Sequence, residues 1–128
     1  MRILAIDHGT ARCGCAISDP SGTLVRPLPV IEPPEPGRVA ALAAENEAEL
    51  VVVGLPISLS GDEGDQARVA RRFADEVAQL VVVPVETYDE RFTTALAQAS
   101  ARGGARAAED SLAAAHLLES FIDSRARG

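Results

Sequence analysis

Residues 2–31, RILAIDHGTARCGCAISDPSGTLVRPLPVI, contain three apolar segments separated by two short turns. The segments 2–6, 12–18 and 22–31 have the pattern of β-strands, and DPSG at 19–22 is a typical turn sequence. Parallel neighbours need a crossover of a dozen or more residues, and these connections are far shorter. The stretch therefore predicts an antiparallel meander of three strands.

The rest of the chain alternates helical and strand patterns after residues 32–37, EPPEPG, which end the sheet. Two continuous apolar runs, 50–56 and 80–87, are typical of strands covered on both faces. A strand–helix–strand unit of this kind makes a right-handed parallel crossover. Helices are predicted over residues 38–48, 66–79, 93–102 and 109–124, the second with Val69, Phe73 and Val77 at intervals of four.

These elements predict an α/β fold with a mixed five-stranded sheet, antiparallel in its first three strands and flanked by helices. A chain of 128 residues has room for one sizeable core. We therefore expect a single domain over residues 1–128. Such a chain is too short for an enzyme that closes a cleft between two lobes.

The net charge of −7 argues against nucleic acid at first sight, because cationic contacts supply most affinity for phosphate backbones. All twelve basic residues are arginines. The excess lies in residues 32–65, which sum to −7, whereas 1–31, 66–109 and 110–128 sum to +1, 0 and −1. Because the negative excess is confined to one segment, it does not exclude nucleic-acid binding by the others. We expect such binding to be weak, salt-sensitive and metal-dependent, on a face lined by arginines.

Membrane and export signals are absent from the sequence pattern. No apolar run approaches the ~18 to 20 residues needed to cross a bilayer, and MRILAIDHG meets an acid too early for a signal peptide. Cys13 and Cys15 lie two apart in a strand, where a disulfide between them is poorly accommodated. We expect a cytoplasmic protein without a membrane partner, in which both thiols are reduced packing groups.

Three carboxylates lie where apolar side chains are expected. Asp7 ends a strand that should be central, and Glu90 follows a strand at the carboxyl end, where such sheets bind ligands. Asp110 shares a helix face with residues that should pack on the sheet, which are Ala113, Ala114, Leu117 and Phe121. A carboxylate in such a position is costly unless a cation or hydrogen bonds compensate it.

Each acid also has a purely structural explanation. Backbone amides of the turn after Asp7 would satisfy that carboxylate, Glu90 would pair with Arg91 or cap the next helix, and Asp110 would complement the helix dipole. Should the three converge, their repulsion favours a divalent cation with oxygen ligands. Two such ions suit displacement at phosphorus.

The two histidines are predicted to lie away from these acids. Strand alternation points His8 to the face opposite Asp7. His116 is about 240° around the helix from Asp110, which predicts a surface or edge position.

Four motifs carry a family resemblance. DHGTARCGCAISD at 7–19, GLPISLSGDEGDQA at 54–67, DERFTT at 89–94 and DSLAAAHLLESFID at 110–123 follow the order and spacing of the YqgF family, whose members are also called RuvX. The resemblance covers essentially the whole chain. Any one motif is weak, but four in order are fairly specific.

The resemblance implies a ribonuclease H-like fold and a nuclease that uses Mg²⁺ or Mn²⁺, with two ions expected. By motif, Asp7, Glu90 and Asp110 match the family's catalytic, metal-binding acids. The implied substrate is the 5′ end of pre-16S rRNA, with branched DNA as the alternative. The family also implies substrate contacts from Arg12, Arg91, Thr94, Arg102 and Arg106.

Partners beyond the nucleic acid follow from the same resemblance. Resolving a four-way DNA junction needs two active sites and hence a homodimer. Processing of a ribosomal RNA precursor brings in a ribosome-associated partner, which would help an acidic chain to reach its substrate.

Two other functions compete with the nuclease. The segment DHGT at 7–10 resembles the phosphate-binding hairpin of actin-like and sugar-kinase ATPases, but those enzymes close two such domains around ATP. A non-catalytic module that binds RNA or protein would keep the fold. Such a module would gain stability by losing three inward acids, which argues against it.

Overall fold

The computed structural model describes residues 1–57, 64–90 and 106–127, and for residues 106–110 and 127 it describes the backbone alone. Five strands and three helices lie in this part of the chain. In chain order they are β1 (Ile3–His8), β2 (Cys13–Ser18), β3 (Val25–Ile31), α1 (Pro36–Glu45), β4 (Leu50–Leu55), α2 (Asp65–Leu80), β5 (Val85–Asp89) and α3 (Arg106–Arg127).

The five strands form one mixed sheet in the order β3-β2-β1-β4-β5. The first three strands pair antiparallel, β4 pairs parallel to β1, and β5 pairs parallel to β4. The predicted meander and crossover are confirmed. The turn between β2 and β3 is closed by Asp19, whose Oδ1 accepts hydrogen bonds from the Thr23 and Leu24 amides at 2.9 and 3.0 Å.

The sheet has two covered faces, each with its own core. One face packs against α1 and α2, and its cluster includes Cys13 and Cys15 as buried packing groups that form no disulfide, as predicted. The other packs against α3 through Ile3, Ala5, Ala16, Leu50, Val52, Ala114, Ala115, Leu117, Leu118 and Phe121. We call these the α1–α2 face and the α3 face. Alternation along each strand distributes neighbouring residues between them.

The prediction of a buried strand at 80–87 was wrong. α2 continues to Leu80, and the strand that follows, Val85–Asp89, is at the edge of the sheet with half-buried or exposed side chains. The run is apolar because Val81, Val83 and Val85 pack against the core at alternate positions, while Val82 is fully exposed. Periodicity alone does not distinguish an edge strand from a central one.

The predicted core position of Val69 was also wrong, since its side chain is exposed. Residues four apart drift by about 40° around a helix, so Val69 turns off the face that Phe73 and Val77 share. Small residues complete the buried face of α2 instead, namely Ala67, Ala70 and Ala74.

Helix boundaries differ from the prediction by a few residues. α1 begins at Pro36, whose missing N–H costs nothing in the first turn. It ends at Glu45 because Glu47 takes a left-handed backbone with φ 53°. α3 spans Arg106–Arg127 against a predicted 109–124. The helix predicted at 93–102 lies outside the described residues, and none of the helices described is long and apolar enough to cross a membrane.

Candidate active site

Asp7 lies near the end of the central strand, on the α3 face. Ala5 and Ile3, two and four residues earlier in β1, pack under α3, and alternation gives Asp7 the same side. Its antiparallel partner on β2 is Gly14. The side chain is half-buried. The carboxylate is therefore held by the most central strand of the sheet, as the sequence predicted.

Glu90 directly follows β5 and lies on the same side of the sheet. A Cβ atom at Gly54 of β4 would be only 2.7 Å from the Glu90 Oε1 and 3.1 Å from its Cδ. The carboxylate thus occupies the space that the missing side chain of Gly54 leaves. Because Ile6 pairs with Val53, Asp7 and Gly54 each come next along their parallel strands. Gly54 therefore lies between the strand of Asp7 and the carboxylate of Glu90.

Helix α3 covers this end of the sheet. The Cδ2 of Leu117 is 3.0 Å from the same Cβ position at Gly54, so the helix packs against the glycine and Glu90 together. Asp110 belongs to α3 seven residues before Leu117, which is about two turns. Its side chain is outside the described residues, so its convergence with Asp7 and Glu90 stays a prediction. Among the side chains described, no group of three acidic, histidine or cysteine residues forms a metal cluster.

A second set of contacts attaches the edge strand β5 to α3. The Tyr88 hydroxyl is 2.9 Å from the Ser120 Oγ, and the Tyr88 ring meets Phe121 edge-on at 5.6 Å. Glu86 and Arg125 form an ion pair at 3.0 Å. These contacts join the strand that carries Glu90 to the helix that carries Asp110. No local sequence pattern indicates these contacts, although Tyr88 alternates onto the same face as Glu90.

His8 lies on the opposite face from Asp7, as predicted. Its ring centroid is 4.6 Å from that of Phe73 in α2. Burial lowers the pKa of His8, and the nearby Asp7 carboxylate partly opposes that shift. The other histidine, His116, is half-buried beside Glu119, with its Nδ1 3.4 Å from the Oε1.

The predicted substrate contacts are described only in part. Arg12 is mostly buried, and its Nε lies 3.4 Å from the Glu32 Oε2, so an acidic partner already holds this cation. Arg106 begins α3, with only its backbone described. Arg91, Thr94 and Arg102 lie outside the described residues. Their roles remain predictions.

Two glycines have clear structural roles near the acids. Gly9 closes the turn after β1 by donating its amide to the Arg12 carbonyl at 2.9 Å, and a Cβ there would be 2.7 Å from that oxygen. Gly54 lies inside β4, where it makes room for Glu90.

The sequence was compared with known families and proteins. A model of the RuvX family, described as Holliday junction resolvase, matches residues 1–124. A relative from Thermobifida fusca, named "Putative pre-16S rRNA nuclease", is 44% identical, with 97% of this chain and 88% of its own covered. A relative of the same name from Chloroflexus aurantiacus is 38% identical, with 96% of this chain and 87% of its own covered.

The fold was compared with solved structures. Thermus thermophilus RuvC in complex with a Holliday junction substrate matches with a TM-score of 0.64 at 19% identity, covering 99% of this chain and 96% of that one. This likeness shows a ribonuclease H-like fold. The family model, the relatives and the fold agree with the resemblance carried by the four motifs, and the chain belongs to the RuvX family, also called YqgF.

Proposed function

We propose that this chain is a nuclease that hydrolyses phosphodiester bonds with Mg²⁺ or Mn²⁺ at a site formed by Asp7, Glu90 and Asp110. The observation that supports it most is the position of Glu90, whose carboxylate fills the space above Gly54 beside the strand of Asp7. Two acids from distant parts of the chain thus share one face at one end of the sheet. The description of the family, Holliday junction resolvase, is consistent with this chemistry.

The carboxylates of the proposed site are suitable ligands for a hard divalent cation. Carboxylate oxygens are the ligands that Mg²⁺ and Mn²⁺ prefer, and a cation offsets the repulsion between acids held close together. Asp7 would hold the metal from the central strand and Glu90 from the edge strand, with Asp110 as the third ligand from α3. When bound, two such ions supply an activated water and stabilise the leaving oxygen of an in-line displacement.

The remaining residues of the proposal bind and position the substrate. Arg12, held by Glu32, lies in the same β1–β2 connection as Gly9 and would contact phosphate there. Arg91, Thr94, Arg102 and Arg106 complete the phosphate contacts that the family resemblance implies. Arginine suits this role because its planar guanidinium donates two parallel hydrogen bonds to phosphate oxygens.

The proposed substrate is the 5′ end of pre-16S rRNA, which the relatives' names support. On this proposal the whole chain is one nuclease domain that acts in the cytoplasm, where ribosomal RNA is processed, with a ribosome-associated partner. A four-way DNA junction is the second candidate, supported by the family description and by the likeness to RuvC. Two cuts in a junction would require a homodimer.

Cleavage of both substrates side by side tests the proposal. Wild-type protein and Glu90→Gln would be incubated with a pre-16S RNA fragment and with a four-way junction, with Mg²⁺, with Mn²⁺ and with a chelator. We expect metal-dependent cleavage of the RNA by the wild type and none by the variant. Junction cleavage by a species with the mass of a dimer would favour the second candidate. No cleavage of either substrate would favour a binding module.

A further inference from the structure

An exposed apolar surface lies at the end of the sheet opposite to the acids, where strands β4 and β5 begin. It surrounds a shallow cavity of about 210 Å³ between the ends of α1 and α2. We call it the Leu80 surface and define it by Ala44, Glu47, Leu80 and Val82. The parallel strands β4 and β5 begin at this end of the sheet, whereas Glu90 follows the last residue of β5 at the other end. A partner bound here would therefore leave the proposed active site open.

The apolar side chains of this surface are unusually exposed. Leu80 is 56% exposed, and Val82 is fully exposed although Val81 and Val83, its neighbours, pack against the core. Single exposed apolar residues are common, but two beside one cavity form a patch that a partner can bury. An apolar anchor seated in a pocket is the usual centre of a protein interface.

The surroundings of the Leu80 surface are acidic. Glu47 lines the cavity, and Glu45 and Glu76 are exposed on the two helices that form it. Both α1 and α2 end at this end of the sheet, so each adds the partial negative charge of a helix C-terminus. Neither helix has a basic residue in its last turn.

Basic residues are absent from the two sequence segments that form this surface. The sequence holds no lysine, and no arginine occurs between Arg38 and Arg68 or between Arg72 and Arg91. These two gaps contain all the residues that line the cavity. Three exposed acids of these segments, Glu45, Glu47 and Glu76, therefore lie on or directly after the two helices that form the Leu80 surface.

We propose that the Leu80 surface binds a basic protein segment, with one apolar side chain in the cavity and flanking arginines or lysines against the acids. Charge complementarity selects this partner, because cations next to an apolar anchor match the surface. A second copy using the same surface would bring like charges together. On the proposed function, which this step requires, the partner is a basic protein already bound to the precursor RNA.

This arrangement also explains how an acidic chain would act on RNA. Proteins that neutralise phosphates carry clustered lysine and arginine, and such proteins match the Leu80 surface. Docking on such a protein would place the other end of the sheet, with the proposed active site, near the RNA. The acidic residues around the Leu80 surface would then help to bring this chain to its substrate.

A direct binding experiment tests the surface independently of cleavage. The probe is a fluorescent peptide of arginines flanking a single leucine, and its control has serine in place of that leucine. We expect wild-type protein to bind the leucine peptide about tenfold more tightly, with binding weakened by salt. The double variant Leu80→Gln/Val82→Thr should lose this preference. Leu24→Gln, which alters another apolar residue that is 70% exposed, should retain it.

A second measurement connects the surface to function. Wild type and the double variant would be compared on protein-free precursor RNA and on precursor particles that keep their proteins. We expect equal cleavage of the free RNA and at least about fivefold slower cleavage of the particles by the variant. Equal cleavage of the particles, unchanged peptide binding, or a dimer that the double variant abolishes would overturn the proposal. Failure of the wild type to cleave free RNA would overturn the nuclease instead, while the peptide result would still decide the surface.

Discussion

The two faces of the sheet differ in the residues at the carboxyl end of β1. His8 lies on one face and its neighbour Asp7 on the other. On the α1–α2 face, apolar packing continues to the end of the strand, where the His8 ring lies against Phe73. On the α3 face, the apolar side chains of β1 stop at Ala5, and the next position is Asp7. One face is thus a core along its whole length, and the other is a core that ends in acids.

The neighbouring strands repeat this difference. β4 places Val51 and Val53 on the α1–α2 face, while its α3 face has Val52 followed by Gly54, which leaves space for Glu90. Half-buried carboxylates destabilise a fold that binds no cation. The comparison therefore predicts that changes on the α3 face alter cleavage, whereas changes on the α1–α2 face alter stability.

Asp7→Asn should have the largest effect on cleavage. Removing a metal ligand should reduce the rate more than ~100-fold, because even the outer-shell partners of metal ligands are worth about 10- to 100-fold. In the absence of metal, thermal stability should stay the same or rise, since a costly charge is removed. The measurements are cleavage rate and thermal midpoint with a chelator. His8→Gln, one residue along on the other face, is the control, and cleavage lost equally in both variants would contradict the comparison.

Gly54→Ala should have the next largest effect. The new Cβ would lie 2.7 Å from the Glu90 Oε1, and the flexible glutamate would move aside. We expect cleavage to fall about 10- to 100-fold, with a stability loss of ~1 kcal/mol from the 3.0 Å approach to Leu117. Gly37→Ala is a matched control, because a Cβ there would meet nothing within 4 Å. Full activity of Gly54→Ala would show that the position of Glu90 is unimportant.

Tyr88→Phe should have a smaller effect on the same face. It removes the hydroxyl bond to Ser120 and loosens the contact between the strand of Glu90 and the helix of Asp110. We expect stability to fall by ~1 kcal/mol and the Mg²⁺ concentration for half-maximal cleavage to rise severalfold. Arg125→Gln breaks a more exposed pair with Glu86 and should change both quantities less. An unchanged metal requirement in Tyr88→Phe would limit the contact to a structural role.

Cys15 should matter least for cleavage and most for stability at high pH. Burial raises the pKa of the Cys15 thiol to about 12 from an ordinary value of 9.0. Between these values the unfolded chain loses a proton that the folded chain keeps, so stability falls as pH rises, by up to ~1.4 kcal/mol per pH unit. Thermal midpoints from pH 8 to 11 should drop less in Cys15→Val than in the wild type. Parallel curves for the two proteins would contradict this assignment.

Much of the fold followed from local pattern. Short connections in residues 2–31 required antiparallel pairing, and alternation in β1 placed Asp7 and His8 on opposite faces. Sequence patterns gave the wrong structure where packing against other elements decides whether a segment is buried. The run at 80–87 has the composition of a buried strand, yet it includes the end of a helix, a fully exposed Val82 and the start of an edge strand.

The sequence by itself determined the meander, the central position of β1 and the face on which Asp7 lies, because strand period and connection length act between near neighbours. Only the tertiary structure decided that Gly54 makes room for Glu90 and that Tyr88 attaches β5 to α3. It also decided that Leu80 and Val82 flank one cavity at an acidic end of the sheet. Each of these features depends on distances between elements far apart in the chain. Such distances are set when the helices pack on the sheet, and no local periodicity encodes them.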